Sequence, residues 1–96
     1  MKRIPPQSLQ LILADHRRWS ILRVLAREGP MPAGALAPRI GADTPWTSRN
    51  LGILKQAGLV SAKYRRVYQI IPELQPAPGA EFLDLGDFLL RLDGGK

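Results

Sequence analysis

Apolar positions recur at helical spacing through the first sixty residues of the chain and at strand spacing in much of the remainder. After Pro5 and Pro6, Ser8 stands as an N-cap, and Leu9, Ile12 and Leu13 follow at i, i+3 and i+4, which predicts a short helix ending near Asp15. His16 to Arg27 reads as the next helix. Trp19, Leu22 and Ala26 make one apolar row and Ile21 and Leu25 the adjacent one, with Arg17, Arg18, Arg23 and Arg27 mostly off that stripe. Gly29 and Pro30 terminate it. Met31 and Pro32 lead into a two-turn helix, Ala33 to Ile40, with Leu36 and Ile40 as core contacts and Gly41 as terminator. Pro38 lies inside that span, where it is expected to fall near the free amides of the first turn.

Thr44 as N-cap and Pro45 at the first helical position predict a further helix over 45–57. Projection at 100° per residue puts Thr47, Leu51, Leu54 and Ala57 on one side, with Asn50 near the edge, and Pro45, Ser48, Arg49, Gly52 and Gln56 on the other. Gly58 closes the helix. Leu59 to Lys63 and Val67 to Ile71 are β-prone runs separated by Tyr64, Arg65 and Arg66, a hairpin with a basic tip. Three prolines and a glycine make Pro72 to Gly79 an extended connector. In the tail, 81–93, Leu83, Leu85, Phe88, Leu90 and Leu92 alternate as in a strand, while Phe82, Leu85, Leu89 and Leu92 also fit a helix. Gly86 favours the extended form. So apolar a segment either covers the core of its own chain or pairs with a second copy.

Charge sharpens this outline. The net charge is +6, but residues 1–71 carry twelve Lys/Arg against Asp15, Glu28 and Asp43, whereas residues 72–96 are net acidic. From Thr44 to Ile71 there are five basic residues, Arg49, Lys55, Lys63, Arg65 and Arg66, and no acid. A field of one sign across two consecutive elements points to a polyanionic partner. There is no cysteine, which removes disulfides, thiolate metal sites and a cysteine nucleophile. With one histidine, His16, and most carboxylates in the tail, no nucleophile-base or carboxylate-pair constellation is visible, so neither an enzyme nor a cofactor or metal is expected. The N-terminal stretch is too short and polar for a signal peptide or membrane span, and a cytoplasmic, nucleoid-associated location is the expectation.

Helix, turn, helix and basic hairpin in this order make a winged helix-turn-helix, in which the second helix of the pair enters the major groove and the hairpin tip reaches phosphates. Residues 13–71 resemble the arsenical-resistance-repressor (ArsR-like) family of bacterial transcriptional regulators. The resemblance rests on Leu13, Ala14 and Asp15 at the opening, Arg18, then Ile21, Leu22 and Leu25. It continues through Leu36 and Ala37 in the third helix, Ser48, Asn50, Leu51 and Leu54 in the recognition helix, and Ala57, Gly58, Leu59 and Val60 at its exit, with Arg65, Arg66 and Tyr68 on the wing. Departures are equally specific. Asn50 stands where the family has histidine, the wing lacks the glycine of a longer turn, and the cysteines and the Asp/His set of the family's metal sites are missing. The usual C-terminal dimer helix has no counterpart, and the tail strand is its expected substitute.

The resulting expectation is a mainly α fold with a small β-wing, a winged helix-turn-helix over 1–72, followed over 73–96 by a connector and an apolar segment for packing or dimerisation. The resemblance implies a transcriptional regulator, a repressor, that binds a pseudo-palindromic operator in double-stranded DNA as a homodimer through the N-terminal helix and the C-terminal segment. Its DNA contacts are expected from Thr44, Trp46, Ser48, Arg49, Asn50, Lys55, Gln56, Lys63, Arg65 and Arg66. No effector is legible. The competing reading is a winged-helix interaction module, an antitoxin or complex subunit, that holds a protein through the apolar tail.

Overall fold

Asp15 starts the first described helix, α1 (His16–Glu28), because its carboxylate accepts from the Arg17 amide at 2.9 Å and satisfies one of the donors every helix start leaves free. The computed structural model describes residues 10, 14–63, 66–85 and 89–92. The helix predicted from Ser8 to Asp15 therefore lies almost wholly outside the described residues, as do Tyr64 and Arg65 at the wing tip. At the far end of α1, Gly29 takes φ 93°, a backbone angle that side chains disfavour, and its amide bonds the Leu25 carbonyl.

Next come β1 (Met31–Pro32), α2 (Ala33–Ile40) and α3 (Thr44–Gln56). β1 was not expected. It consists of two residues, too few for any period, and it exists because Met31 and Pro32 pair with Tyr68 and Val67 of the wing. Proline is tolerated there as an edge residue that owes the sheet no donor. Pro38 sits deeper in α2 than expected. It is the sixth helical residue, past the free amides, so the donor it lacks is the one Gly34's carbonyl would take; both residues are exposed, which leaves that carbonyl to water.

Helix α3 ends in a tight double hydrogen bond. Gly58, at φ 84°, donates to the Lys55 carbonyl and Leu59 to the Leu54 carbonyl, and Leu54 and Leu59 are both fully buried. This is the left-handed helix exit that requires glycine, closed by an apolar contact across it. It turns the chain directly into β2 (Val60–Lys63) and β3 (Val67–Ile70), antiparallel in the register Val60 to Ile70 through Lys63 to Val67, so the sheet runs β1-β3-β2. Three helices and a small antiparallel sheet in this order are a winged helix-turn-helix.

The connector is not wholly extended: Pro72–Leu74 form one 3-10 turn and Leu74 is buried. The tail folds as a hairpin of two short strands, β4 (Phe82–Asp84) and β5 (Leu89–Arg91), closed at its base by the Leu92 amide donating to the Glu81 carbonyl. Its inward residues, Leu83, Leu85, Leu90 and Leu92, join Ile21, Leu22, Leu25, Leu36, Leu51, Leu54, Leu59, Val60 and Ile70 in one core. Arg23 and Arg27 of α1 fasten the hairpin by donating to the carbonyls of Arg91 and Leu92 at 2.7 and 3.1 Å.

Candidate nucleic-acid interface

Asp43, rather than Thr44, is the N-cap of α3. Its Oδ1 accepts from the Trp46 amide at 2.7 Å, Thr44 becomes the first helical residue and Pro45 the second. Both positions lie in the first turn, where proline costs no hydrogen bond. Thr47 donates its hydroxyl to the Asp43 carbonyl and is buried with Asn50, Leu51 and Leu54. The burial pattern then repeats with the helix: Thr44, Pro45, Ser48, Arg49, Gly52, Lys55 and Gln56 are all exposed along one face.

Asn50 does not belong to that face. It is 3% exposed, its Oδ1 accepts from Arg18 Nε at 2.7 Å, and its Nδ2 donates to the Trp46 carbonyl at 2.9 Å. An amide held by two partners inside the fold bridges α1 and α3, on the buried side of the helix near whose edge projection put it. Trp46 is half-buried against the core, with the Arg17 guanidinium 4.1 Å above its ring. Arg17 in turn meets Asp15 at 3.1 Å. The Arg17 side chain and then its backbone amide, both donating to the carboxylate, hold Asp15 below its ordinary value of 3.8. Asp15, Arg17 and Trp46, with Arg18 and Asn50, thus join the start of α1 to the first turns of α3. Sequence reasoning missed this junction; its one local signal was Asp15 two residues before Arg17 at a helix start.

The cations divide into two groups. Arg17 and Arg18 are engaged as described, Arg23 and Arg27 hold the tail, Arg39 makes a bidentate pair with Glu28, and Arg91 lies over Phe82. By contrast, among the described residues Arg49, Lys55, Lys63 and Arg66 are exposed and their side chains make no hydrogen bond or ion pair within the chain. Arg66 is also the only described non-glycine residue at positive φ, 61°. The pairing of Lys63 with Val67 leaves three residues between β2 and β3, the third being Arg66. Such three-residue hairpins place their last residue in the left-handed region, where glycine is usual. A strained, solvent-facing arginine at that spot serves nothing in the described fold.

Gly52 completes the face. A Cβ built there meets nothing within 4 Å, so no packing inside the chain demands a glycine, although glycine within a helix costs about 1 kcal/mol relative to alanine. It leaves the backbone of α3 bare midway between Ser48, Arg49 and Lys55, Gln56.

The sequence matches no protein-family model and no curated protein. Among solved structures, the chain is similar to the solution NMR structure of a homodimeric winged helix-turn-helix DNA-binding domain (fragment 1–100) from Mycobacterium bovis, described as a possible ArsR-family transcriptional regulator. The two are 33% identical with a TM-score of 0.60, over 70% of this chain and 67% of the other.

Proposed function

The chain belongs to the winged helix-turn-helix family, and from that premise we propose that it is an ArsR-like transcriptional regulator, a repressor, that binds a pseudo-palindromic DNA operator as a homodimer. The carrying observation is the exposed, acid-free face of α3 continued by the wing, whose described cations have no partner in their own chain. α3 enters the major groove. Ser48, Arg49 and Gln56 read base edges, Arg49 as the bidentate donor suited to guanine. Thr44, Lys55, Lys63, Arg65 and Arg66 contact phosphates, and Trp46 acts from beneath by setting the first turn of α3. The dimer forms through the N-terminal helix and the C-terminal segment. The chain measures 31 × 26 × 26 Å, so two copies side by side bring equivalent helices to about the 34 Å that separates successive major grooves on one side of DNA, or half-sites on the order of 10 bp apart.

The test is fluorescence anisotropy on random and operator duplexes across a salt series. Binding to random duplex at low salt is expected, with affinity falling as salt rises. Arg65→Ala with Arg66→Ala weakens binding to every sequence and flattens the salt slope, whereas Arg49→Ala relaxes specificity. A chain that ignores duplex even at low ionic strength would instead be a protein-interaction module.

A further inference from the structure

A cavity of about 520 Å³ lies between the C-terminal part of α1 and the connector. Its floor is Ala26, Ala80 and Leu92, which are buried or half-buried, and its wall is the connector over residues 76–81. Between residues 76 and 80 no side chain can swing in to fill it: Ala77, Gly79 and Ala80 end at or before Cβ, and the rings of Pro76 and Pro78 are fixed to the backbone. The wall is also held in shape. The Ala80 amide donates to the Ala77 carbonyl at 3.0 Å, with Pro78 second and Gly79, at φ 80°, third, the residues that a type II turn favours at those positions. The volume falls in the range of small-molecule sites, and a wall already set in one form loses little freedom when a ligand arrives.

Two opposite charges line this cavity without meeting. Glu81 is exposed, and its carboxylate makes no hydrogen bond or ion pair among the described residues. Arg27, also exposed, fastens the tail through Nη1 alone, 3.1 Å from the Leu92 carbonyl, a neutral acceptor that leaves the guanidinium charge in place. Its Nε and Nη2 form a second edge, the kind that grips a carboxylate with two parallel bonds, and among the described residues that edge bonds nothing. We propose that the cavity binds a small zwitterion, an amino acid or dipeptide with an apolar side chain. The ligand carboxylate lies on the Nε and Nη2 edge of Arg27, the ammonium on the Glu81 carboxylate, and the side chain against Ala26, Pro76 and Leu92. A simple anion is opposed by Glu81 and a simple cation by Arg27, so only a molecule of both signs answers the whole site. Bound there, it ties α1 to Glu81, whose carbonyl already closes the tail hairpin with the Leu92 amide. No residue of α3 or the wing lines the cavity, so the site stands apart from the DNA-binding reading.

Amide shifts in proton–nitrogen NMR spectra of the full chain, titrated with L-leucine and L-leucyl-L-leucine, test the site. Two analogues each lack one charge: isocaproate has no ammonium and isoamylamine no carboxylate. The zwitterions are expected to move the amides of Ala77, Gly79 and Glu81 and to bind about tenfold or more tighter than either analogue, since each end makes a charge-assisted hydrogen bond. Glu81→Gln should remove the preference over isocaproate and keep that over isoamylamine. Arg27→Lys retains a donor for the Leu92 carbonyl but no paired edge, and should reduce the preference over isoamylamine instead. Ala80→Leu fills the cavity and should bind none of the probes, with a circular dichroism melt to show that it folds. Absence of shifts with every probe up to about 10 mM would overturn the site. So would analogues that bind as tightly as leucine, or wild-type binding by a folded Ala80→Leu chain. Losses equal across all probes in the two charge variants would overturn the roles of Arg27 and Glu81. Duplex binding at low salt by the same sample reads the regulator proposal separately, so either can fail alone.

Discussion

Arg66 combines a backbone cost with a charge that the fold does not use, and substitution can separate the two. At φ 61° a residue with a Cβ sits in the left-handed region at a cost of roughly 1–2 kcal/mol that glycine avoids. Glycine returns about 0.5–1 kcal/mol of this through its larger freedom in the unfolded chain. Arg66→Gly should therefore stabilise the fold by about 0.5–1 kcal/mol, raising the melting temperature by about 2–8 °C for a domain of this size. DNA binding should move the opposite way. One phosphate contact fewer lowers the magnitude of the slope of log K against log salt by about 0.9 per protomer. Arg66→Ala is the control: it keeps the strained backbone and loses the charge, so its melt stays close to wild type while its salt slope falls as for the glycine variant. The assays are thermal circular dichroism and anisotropy on duplex between 50 and 200 mM salt, the range over which phosphate contacts dominate. A glycine variant that melts at or below wild type would refute the strain argument. An unchanged slope in both variants would refute the phosphate contact.

Gly52→Ala should stabilise α3 by about 1 kcal/mol, since the added methyl meets nothing, and should weaken operator binding if α3 approaches the groove as closely as a bare backbone permits; a melt and a binding curve on one sample read both. Asn50→Ala removes the acceptor of Arg18 and should cost about 1–3 kcal/mol in urea unfolding, while base preference at each operator position stays as in wild type once binding is corrected for folding. A change confined to one base pair with stability intact would return Asn50 to the reading face. Asp15 has its folded value held below that of the unfolded chain, so its contribution is fully present above about pH 4 and is lost as pH falls through the folded value. Urea unfolding of wild type should thus lose stability with acid more steeply than Asp15→Asn below about pH 4, and parallel pH profiles would count against the cap.

Much of the frame was legible because it depends on neighbours a few residues apart. The apolar rows of α1, the terminators Gly29, Gly41 and Gly58, and the outward face of α3 all follow from helical period and turn chemistry. Where two adjacent residues could do one job, the sequence left a choice. Asp43 and Thr44 are both competent caps and proline is accepted at either first-turn position, so only the reach of Asp43 to the Trp46 amide decides. The partners of Asn50 were illegible for another reason. At the edge of the projected stripe a polar residue can turn either way, and its partner, Arg18, lies 32 residues back, beyond any local pattern. β1 is the same case in strand form, since Met31 and Pro32 become extended only by meeting Tyr68 and Val67. In the tail, alternation at Leu83, Leu85, Leu90 and Leu92 was the correct signal, yet one strand was expected where two form, because a turn within an alternating run leaves its period intact.

Net charge by itself overstates the case for a nucleic-acid partner and locates it poorly. α1 holds four arginines, as many cations as the described part of α3 and the wing together, and their carboxylate, carbonyl, amide and ring partners account for each within the fold. Those arginines are structural fasteners: one pair joins α1 to α3 and the other to the tail. A guanidinium with five donors suits that work, because one group can bridge a carboxylate and a ring, or a helix and a strand end. Arg49, Lys55, Lys63 and Arg66 have no such employment among the described residues, and one of them is held in a conformation that its own backbone resists. Selection for folding alone does not retain a strained arginine where glycine fits better, nor an unneeded glycine in the middle of a helix. Arg66 and Gly52 break local rules in opposite directions on adjoining elements, and a close approach by an anionic surface is one cause that accounts for both.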